Sequence, residues 1–266
     1  MTRDELIALM RTRSFIIYGN GYVAHRFYEC IKSLGFDSRL IGFAVTHAKN
    51  GDMGVEGKPV LAVSEIKNKD ITLFVAAHDA VAEDMRKMAV ALDFRNVFWI
   101  YPQLWDLELG EPIERKRHIR TKRLAAAQPF FNLAIDFLTI QHFLDGGSNT
   151  IYLKMQSVWS TPAVAEKRLE SFKGRIRDAV QNGCNKDAIV KVNERQELFD
   201  GMHTMAMALY FGVEKIMADI YPAKRSFYED NGIYRKGVLL AEDLPKYYTE
   251  AEIDEIKAVD RKIRGL

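Results

Sequence analysis

The segment SFIIYGNGYVAHRFYECIKSLG, residues 14–35, places a short apolar run before an amphipathic one, with two glycines between them. Phe15, Ile16, Ile17 and Tyr18 end on Gly19, the pattern of a parallel strand buried on both faces. From Tyr22 the period changes. Val23, Phe27, Cys30, Ile31 and Leu34 fall on one face of a helix that Gly35 stops. Gly19-Asn20-Gly21-Tyr22-Val23-Ala24 thus fits G-x-G-x-x-A at a strand-to-helix turn. Glycines there let the backbone turn tightly and approach a diphosphate, and the helix start offers free N–H groups and partial positive charge. A tight turn that holds no ligand fits the same residues.

Working outward, further strands are expected over residues 39–46 (RLIGFAVT), 58–63, 71–77 (ITLFVAA) and 96–101 (NVFWIY). A glycine-rich loop, KNGDMGVEG, precedes the second of these, and a helix is expected over 80–92. This alternation predicts an α/β class with a Rossmann-like open parallel sheet over residues 1–110. The opening MTRDELIALMRTR reads as an amphipathic helix with no apolar signal core. The second strand ends Ala44-Val45-Thr46-His47, with no carboxylate where a dinucleotide site places one for the ribose hydroxyls, which argues against NAD. Thr46 or His47, and His78 after the fourth strand, remain as ligand contacts.

The second half has another rhythm. The basic run ERKRHIRTKR (114–123) and a helix over 129–144 read as a basic helical linker, residues 111–148. That helical stretch is the most apolar in the chain, yet it holds Asn132, Asp136, Gln141 and His142, which are costly in a bilayer; no membrane span is expected. Residues 149–266 then read as a smaller α+β domain. Its expected elements are a strand over 150–158, a helix over 162–182, a strand over 188–192 and a short return strand over 196–199. A helix over 201–211 and a strand over 215–221 follow. Thr249-Glu250-Ala251-Glu252 is a capping box opening a last helix striped by Ile253, Ile256, Val259 and Ile263.

The chain has 266 residues, 48% hydrophobic and 28% charged, with a net charge of +2. Such near-neutrality gives no electrostatic reason to expect nucleic acid as a partner. Two distant cysteines, Cys30 and Cys184, fit buried thiols in a reducing, cytoplasmic setting rather than a zinc site.

One motif carries chemistry in the second half: Asp200-Gly201-Met202-His203, before an apolar helical run. Asp200 can cap that helix, and Gly201 lets a ligand approach the backbone. His203 sits in the positive potential of the first turn, which favours a neutral imidazole able to bond phosphate or act as a base. A capped core helix explains Asp200 and part of Gly201 without any ligand.

Two resemblances sharpen these readings. GNGYVAHRFYE, LIGFAVT, GKPVLAVSEI and TLFVAAHDA, across residues 14–102, resemble the N-terminal Rossmann-like domain of PglD-type sugar acetyltransferases. That likeness implies a nucleotide-sugar or dinucleotide site, or a docking module, around Gly19, Gly21, Tyr22, Thr46 and His78, in surface-polysaccharide metabolism. KRLESFKGRIRDAVQNG followed by DAIVKVNERQELFDGMHTMAMALYFGVEKIMADIY, across 150–221, resembles the ParB/sulfiredoxin-like fold, nearest to the D-G-x-H-R form of free-serine-kinase-like members. It implies ATP or ADP with Mg²⁺ at Gly201, Met202 and Thr204, and a carboxylate that activates an acceptor hydroxyl. Thr204 stands where those relatives carry arginine, whose bidentate phosphate contact a hydroxyl does not replace. Another cation is therefore expected, from Arg195, Lys167, Arg168, Lys224 or Arg225.

Among Glu166, Glu170, Glu194 and Glu197 the preferred carboxylate is Glu194, in the turn expected to adjoin the helix start. The functional expectation is a nucleotide-dependent small-molecule phosphotransferase with Asp200, His203 and Glu194 as its catalytic groups. The alternatives are a non-catalytic nucleotide or nucleotide-sugar binding module and a ParB-like DNA-binding protein, although no helix-turn-helix follows Tyr221. A homo-oligomer stays open.

Overall fold

The computed structural model describes residues 2–48, 57–222, 228 and 237–265. The chain divides into two compact units, residues 1–110 and 111–266.

In the first unit, α1 (Arg3–Thr12) leads into β1 (Phe15–Tyr18), α2 (Tyr22–Ser33), β2 (Leu40–Val45), β3 (Val60–Ala62), β4 (Thr72–Val75), α3 (Asp79–Ala91), β5 (Asn96–Trp99) and α4 (Tyr101–Leu109). The five strands form one sheet in the order β3-β2-β1-β4-β5. Every neighbouring pair is parallel. This is a Rossmann-like α/β arrangement. Alternate residues of β1 feed opposite faces. Phe15 and Ile17 pack with Leu6 and Met10 of α1, Phe27 of α2 and Leu104 of α4. Ile16 and Tyr18 pack with Ala82 and Ala89 of α3. Burial on both faces is why β1 reads as continuously apolar. The strand order reverses direction between β1 and β4, which opens a crevice at their carboxyl ends. Most of the glycine-rich loop KNGDMGVEG lies outside the described residues.

The second unit runs β6 (Glu114–Arg120), α5 (Thr121–Ala126), α6 (Asn132–Leu144), α7 (Thr150–Ser157), α8 (Pro162–Asn182), β7 (Ile189–Asn193), β8 (Leu198–Asp200), α9 (Met202–Tyr210), β9 (Lys215–Tyr221), α10 (Leu244–Tyr247) and α11 (Glu250–Arg264). Its sheet has the order β6-β9-β7-β8. β9 pairs antiparallel with β6 and parallel with β7, and β7 pairs antiparallel with β8. Val190, Val192, Leu198, Ile216, Ala218 and Ile220 of the sheet meet the helices in one core.

Two expectations are corrected here. Residues 111–148 are not a helical linker but the first part of the second unit. ERKRHIR is the edge strand β6, on which only Ile119 is buried. Charges suit a sheet edge because they oppose pairing with another chain, and they hid the strand's apolar pattern. α6 is apolar all round because it is a core helix, with each residue from Asn132 to Ile140 buried. Residues 150–158, expected as a strand, form α7, where Ile151, Tyr152, Met155 and Gln156 are buried at helical spacing.

The capping box of α11 is present, with Thr249 Oγ1 accepting from Glu252 N–H and Glu252 accepting from Thr249 N–H. Cys30 is buried, as expected, but Cys184 is half-exposed. Among the described residues no helix is long and apolar enough to cross a membrane.

Candidate functional site

In the first unit the strand-to-helix turn gathers the expected contacts at the carboxyl ends of β1, β2 and β4. The two glycines play different parts. Gly19 has φ +132°, and a Cβ on it would lie 2.6 Å from Ala76 O, so close strand packing alone requires it. Gly21 is the N-cap of α2, makes no side-chain cap, and has nothing within 4 Å of where its Cβ would stand. The N-cap residue therefore gives the first N–H groups of α2 no side-chain acceptor. Thr46 Oγ1 is hydrogen-bonded to Tyr18 Oη at 2.8 Å, tying the end of β2 to β1. His78 is the N-cap of α3, with its ring 4.6 Å from that of Tyr101. Tyr22 lies under the Arg26 guanidinium, which also stacks 3.9 Å over Trp105 and pairs with Glu108.

In the second unit the start of α9 is built from four segments. Gly201 has φ +92°, and its absent Cβ would lie 2.8 Å from Val190 Cγ1, so packing against β7 accounts for this glycine. Gly201, not Asp200, is the N-cap, and it has no side chain with which to cap the helix. That corrects the capping role expected of Asp200, which ends β8 with Oδ2 4.0 Å from Lys191 Nζ. The first N–H groups of α9 consequently receive no capping acceptor from the N-cap residue itself.

His203 is stacked on Phe172 of α8, with ring centres 4.0 Å apart and planes at 11°. Its Nε2 is 3.1 Å from Tyr152 Oη of α7 and 3.7 Å from Asp136 Oδ1 of α6. The second separation is too long for a hydrogen bond. Asp136 is buried, and its Oδ1 has no hydrogen-bond partner among the described residues. Burial holds the Asp136 carboxyl well above the usual carboxylate range, with Arg175 pulling partly back. Burial, then the charges of Arg175 and Arg168, lower His203 to about 3. His203 is therefore neutral at pH 7, and burial disfavours the ionised form of Asp136. The imidazole is nonetheless 27% exposed, so one ring edge faces an opening.

Arg175 Nη2 donates to Thr204 Oγ1 at 2.8 Å. Arg168, two turns earlier on α8, donates to Gln156 Oε1 at 2.9 Å. The start of α9 thus combines a helix N-terminus with a glycine N-cap, two guanidinium groups on one helix face and a neutral imidazole backed by a tyrosine and a buried carboxyl. Such a set can bind an anion and shift a proton.

Some expected members stand elsewhere. Gly201 packs on Val190 at the beginning of β7, whereas Glu194 and Arg195 lie in the turn after β7 ends. At about 3.3 Å per residue that turn is roughly 10 Å away, at the far end of the hairpin. Arg195 is 3.6 Å from Glu197. Glu197 is buried and accepts from Asn193 Nδ2 at 2.7 Å, so it secures the turn. Glu170 pairs with Lys173 at 2.8 Å. Met205 and Met207 are core residues, and Met202 packs partly against that core. Lys224 and Arg225 lie outside the described residues.

Asp136, Tyr152, Phe172 and Arg175 were not anticipated as site residues. Two signals could have marked them: an acid inside the most apolar stretch, and arginines at i and i+7 of one helix. No family model, curated protein or solved structure matches the chain.

Proposed function

We propose that the protein is a nucleotide-dependent small-molecule transferase, of the phosphotransferase kind, with its phosphate site at the start of α9. One observation carries this reading: Arg175 brings a guanidinium to Thr204, at a helix start whose N-cap is a glycine with no side chain. The N–H groups of that first turn and the guanidinium would hold phosphate oxygens. Asp200 is the carboxylate beside them in the chain, and would take a Mg²⁺ position.

In the transfer, the acceptor hydroxyl oxygen bonds to the terminal phosphorus, and the bond to the nucleotide diphosphate oxygen breaks. The hydroxyl proton passes to His203. Burial is the larger cause of its weak basicity, and bound phosphate would remove the smaller one by offsetting the field of Arg175 and Arg168. Tyr152 and Asp136 steady the ring that receives it. The first unit, with its open approach at Gly21, supports a nucleotide or nucleotide-sugar site of its own, consistent with a role in surface-polysaccharide metabolism.

A second reading has its own observation. His203 lies flat on Phe172, as a packed histidine does, which favours nucleotide binding without turnover. A thermal-shift screen of ATP, ADP and CTP with Mg²⁺, followed by product analysis with small alcohols, tests both. Stabilisation and turnover that His203→Ala abolishes support the transferase. Stabilisation without product supports the binding module, and no shift with any nucleotide rejects both.

A further inference from the structure

The α9 site does not use the basic edge of the second unit. There, Arg117, His118, Arg120, Arg123, Gln196 and Lys215 line a cavity of about 370 Å³, with Ile119 as the one apolar lining residue. The cationic groups come from three elements, β6, α5 and β9, and no carboxylate lines the cavity. Arg120 and Lys215 are register partners across the antiparallel β6–β9 pair. Like charges placed directly opposite each other destabilise a sheet. Arg117 is paired with Glu114 at 3.1 Å. Arg120, Arg123 and Lys215 have no ion-pair partner among the described residues.

Charges that only guard a sheet edge need no cavity. Here they surround a concavity of small-molecule size, so that their positive fields converge on it. We propose that this cavity binds a phosphate-bearing small molecule, at a site separate from the α9 start. Arg120, Arg123 and Lys215 hold its phosphate oxygens, which offsets the repulsion between Arg120 and Lys215. Arginine forks suit phosphate oxygens by geometry as well as charge.

Inorganic pyrophosphate is the probe, titrated calorimetrically at low salt into the full chain carrying Arg175→Ala, so that the α9 start does not contribute. The expected result is one site per chain, weakened at least tenfold by Arg120→Ala combined with Lys215→Ala. Arg123→Gln should weaken it severalfold, and Lys122→Ala, on α5 outside the lining, should leave it unchanged. All four side chains are exposed, so circular dichroism should show the fold retained. No heat at millimolar pyrophosphate overturns the proposal, as does an affinity that neither lining variant changes. Tighter binding of random duplex DNA or anionic vesicles, lost in the same variants, also overturns it in favour of a macromolecular or lipid ligand.

Discussion

Arg175 Nη2 donates to Thr204 Oγ1 at 2.8 Å, across the gap between α8 and α9. The Thr204 hydroxyl is thus the anchor for an arginine from another helix. A threonine cannot hold phosphate bidentately, but as an acceptor it fixes where a guanidinium lies. Burial first, and then this positive charge one residue past His203, holds the imidazole neutral.

The shifts of His203 and Asp136 make stability depend on pH in a defined way. His203 is lowered to about 3, so between roughly 6.5 and 3 the unfolded chain binds a proton that the folded chain does not. Stability from this group is present above the unfolded value and lost as pH falls. Asp136, raised by burial, acts oppositely: its unfolded carboxyl ionises from about pH 4 upward, so it lowers stability as pH rises. Urea denaturation of His203→Gln should show the variant gaining on the wild type by on the order of 1 kcal/mol per pH unit between pH 6.5 and 4. A stability difference that stays flat across that window contradicts a neutral His203.

Asp136→Asn keeps the shape and removes the titration. It should be as stable as the wild type or more stable at pH 8, where the wild type carries the cost of a buried acid, and the difference should vanish near pH 4. Thermal melts at the two pH values read this directly. A variant less stable at pH 8 than at pH 4, relative to the wild type, would mean that the carboxylate is ionised and paired.

The two glycines of the first turn should separate cleanly. Gly19→Ala forces a Cβ to 2.6 Å from the Ala76 carbonyl, so it should cost at least ~2 kcal/mol. Gly21→Ala meets nothing within 4 Å and should cost less than about 1 kcal/mol. Equal destabilisation in chemical denaturation would show that the turn is not packed as described.

Much of the first unit was legible because its strands and helices keep their own periods. Phe15 to Tyr18 are buried on both faces, and Val23, Phe27 and Ile31 repeat as a helix does. The second unit was harder. β6 shows one apolar residue, Ile119, among charges, because an edge strand needs little burial. α7 mimics strand alternation over a few residues, and only Ile151, Tyr152 and Met155 packed together reveal the longer period. His203 could be read from its place at a helix start. Its partners could not, since Asp136, Tyr152 and Arg175 come from three other helices and meet only through packing. Glu194 was misplaced for the same reason: nearness in sequence to the α9 start hid the length of the hairpin between them.

That correction can be checked on its own. Glu194→Gln and Arg195→Ala should each change nucleotide affinity by less than twofold, because their turn lies at the far end of the β7–β8 hairpin. A tenfold loss in calorimetric titration from either one would place that turn at the ligand.

The most direct measurement is calorimetric titration of ATP with Mg²⁺ into the full chain and into Arg175→Ala. A charge-assisted hydrogen bond contributes about 1.5–3 kcal/mol, roughly ten- to hundredfold in affinity. ATP should bind the wild type, and bind Arg175→Ala more weakly by that factor. An affinity that Arg175→Ala leaves unchanged, or a wild type that takes up no ATP, would contradict it.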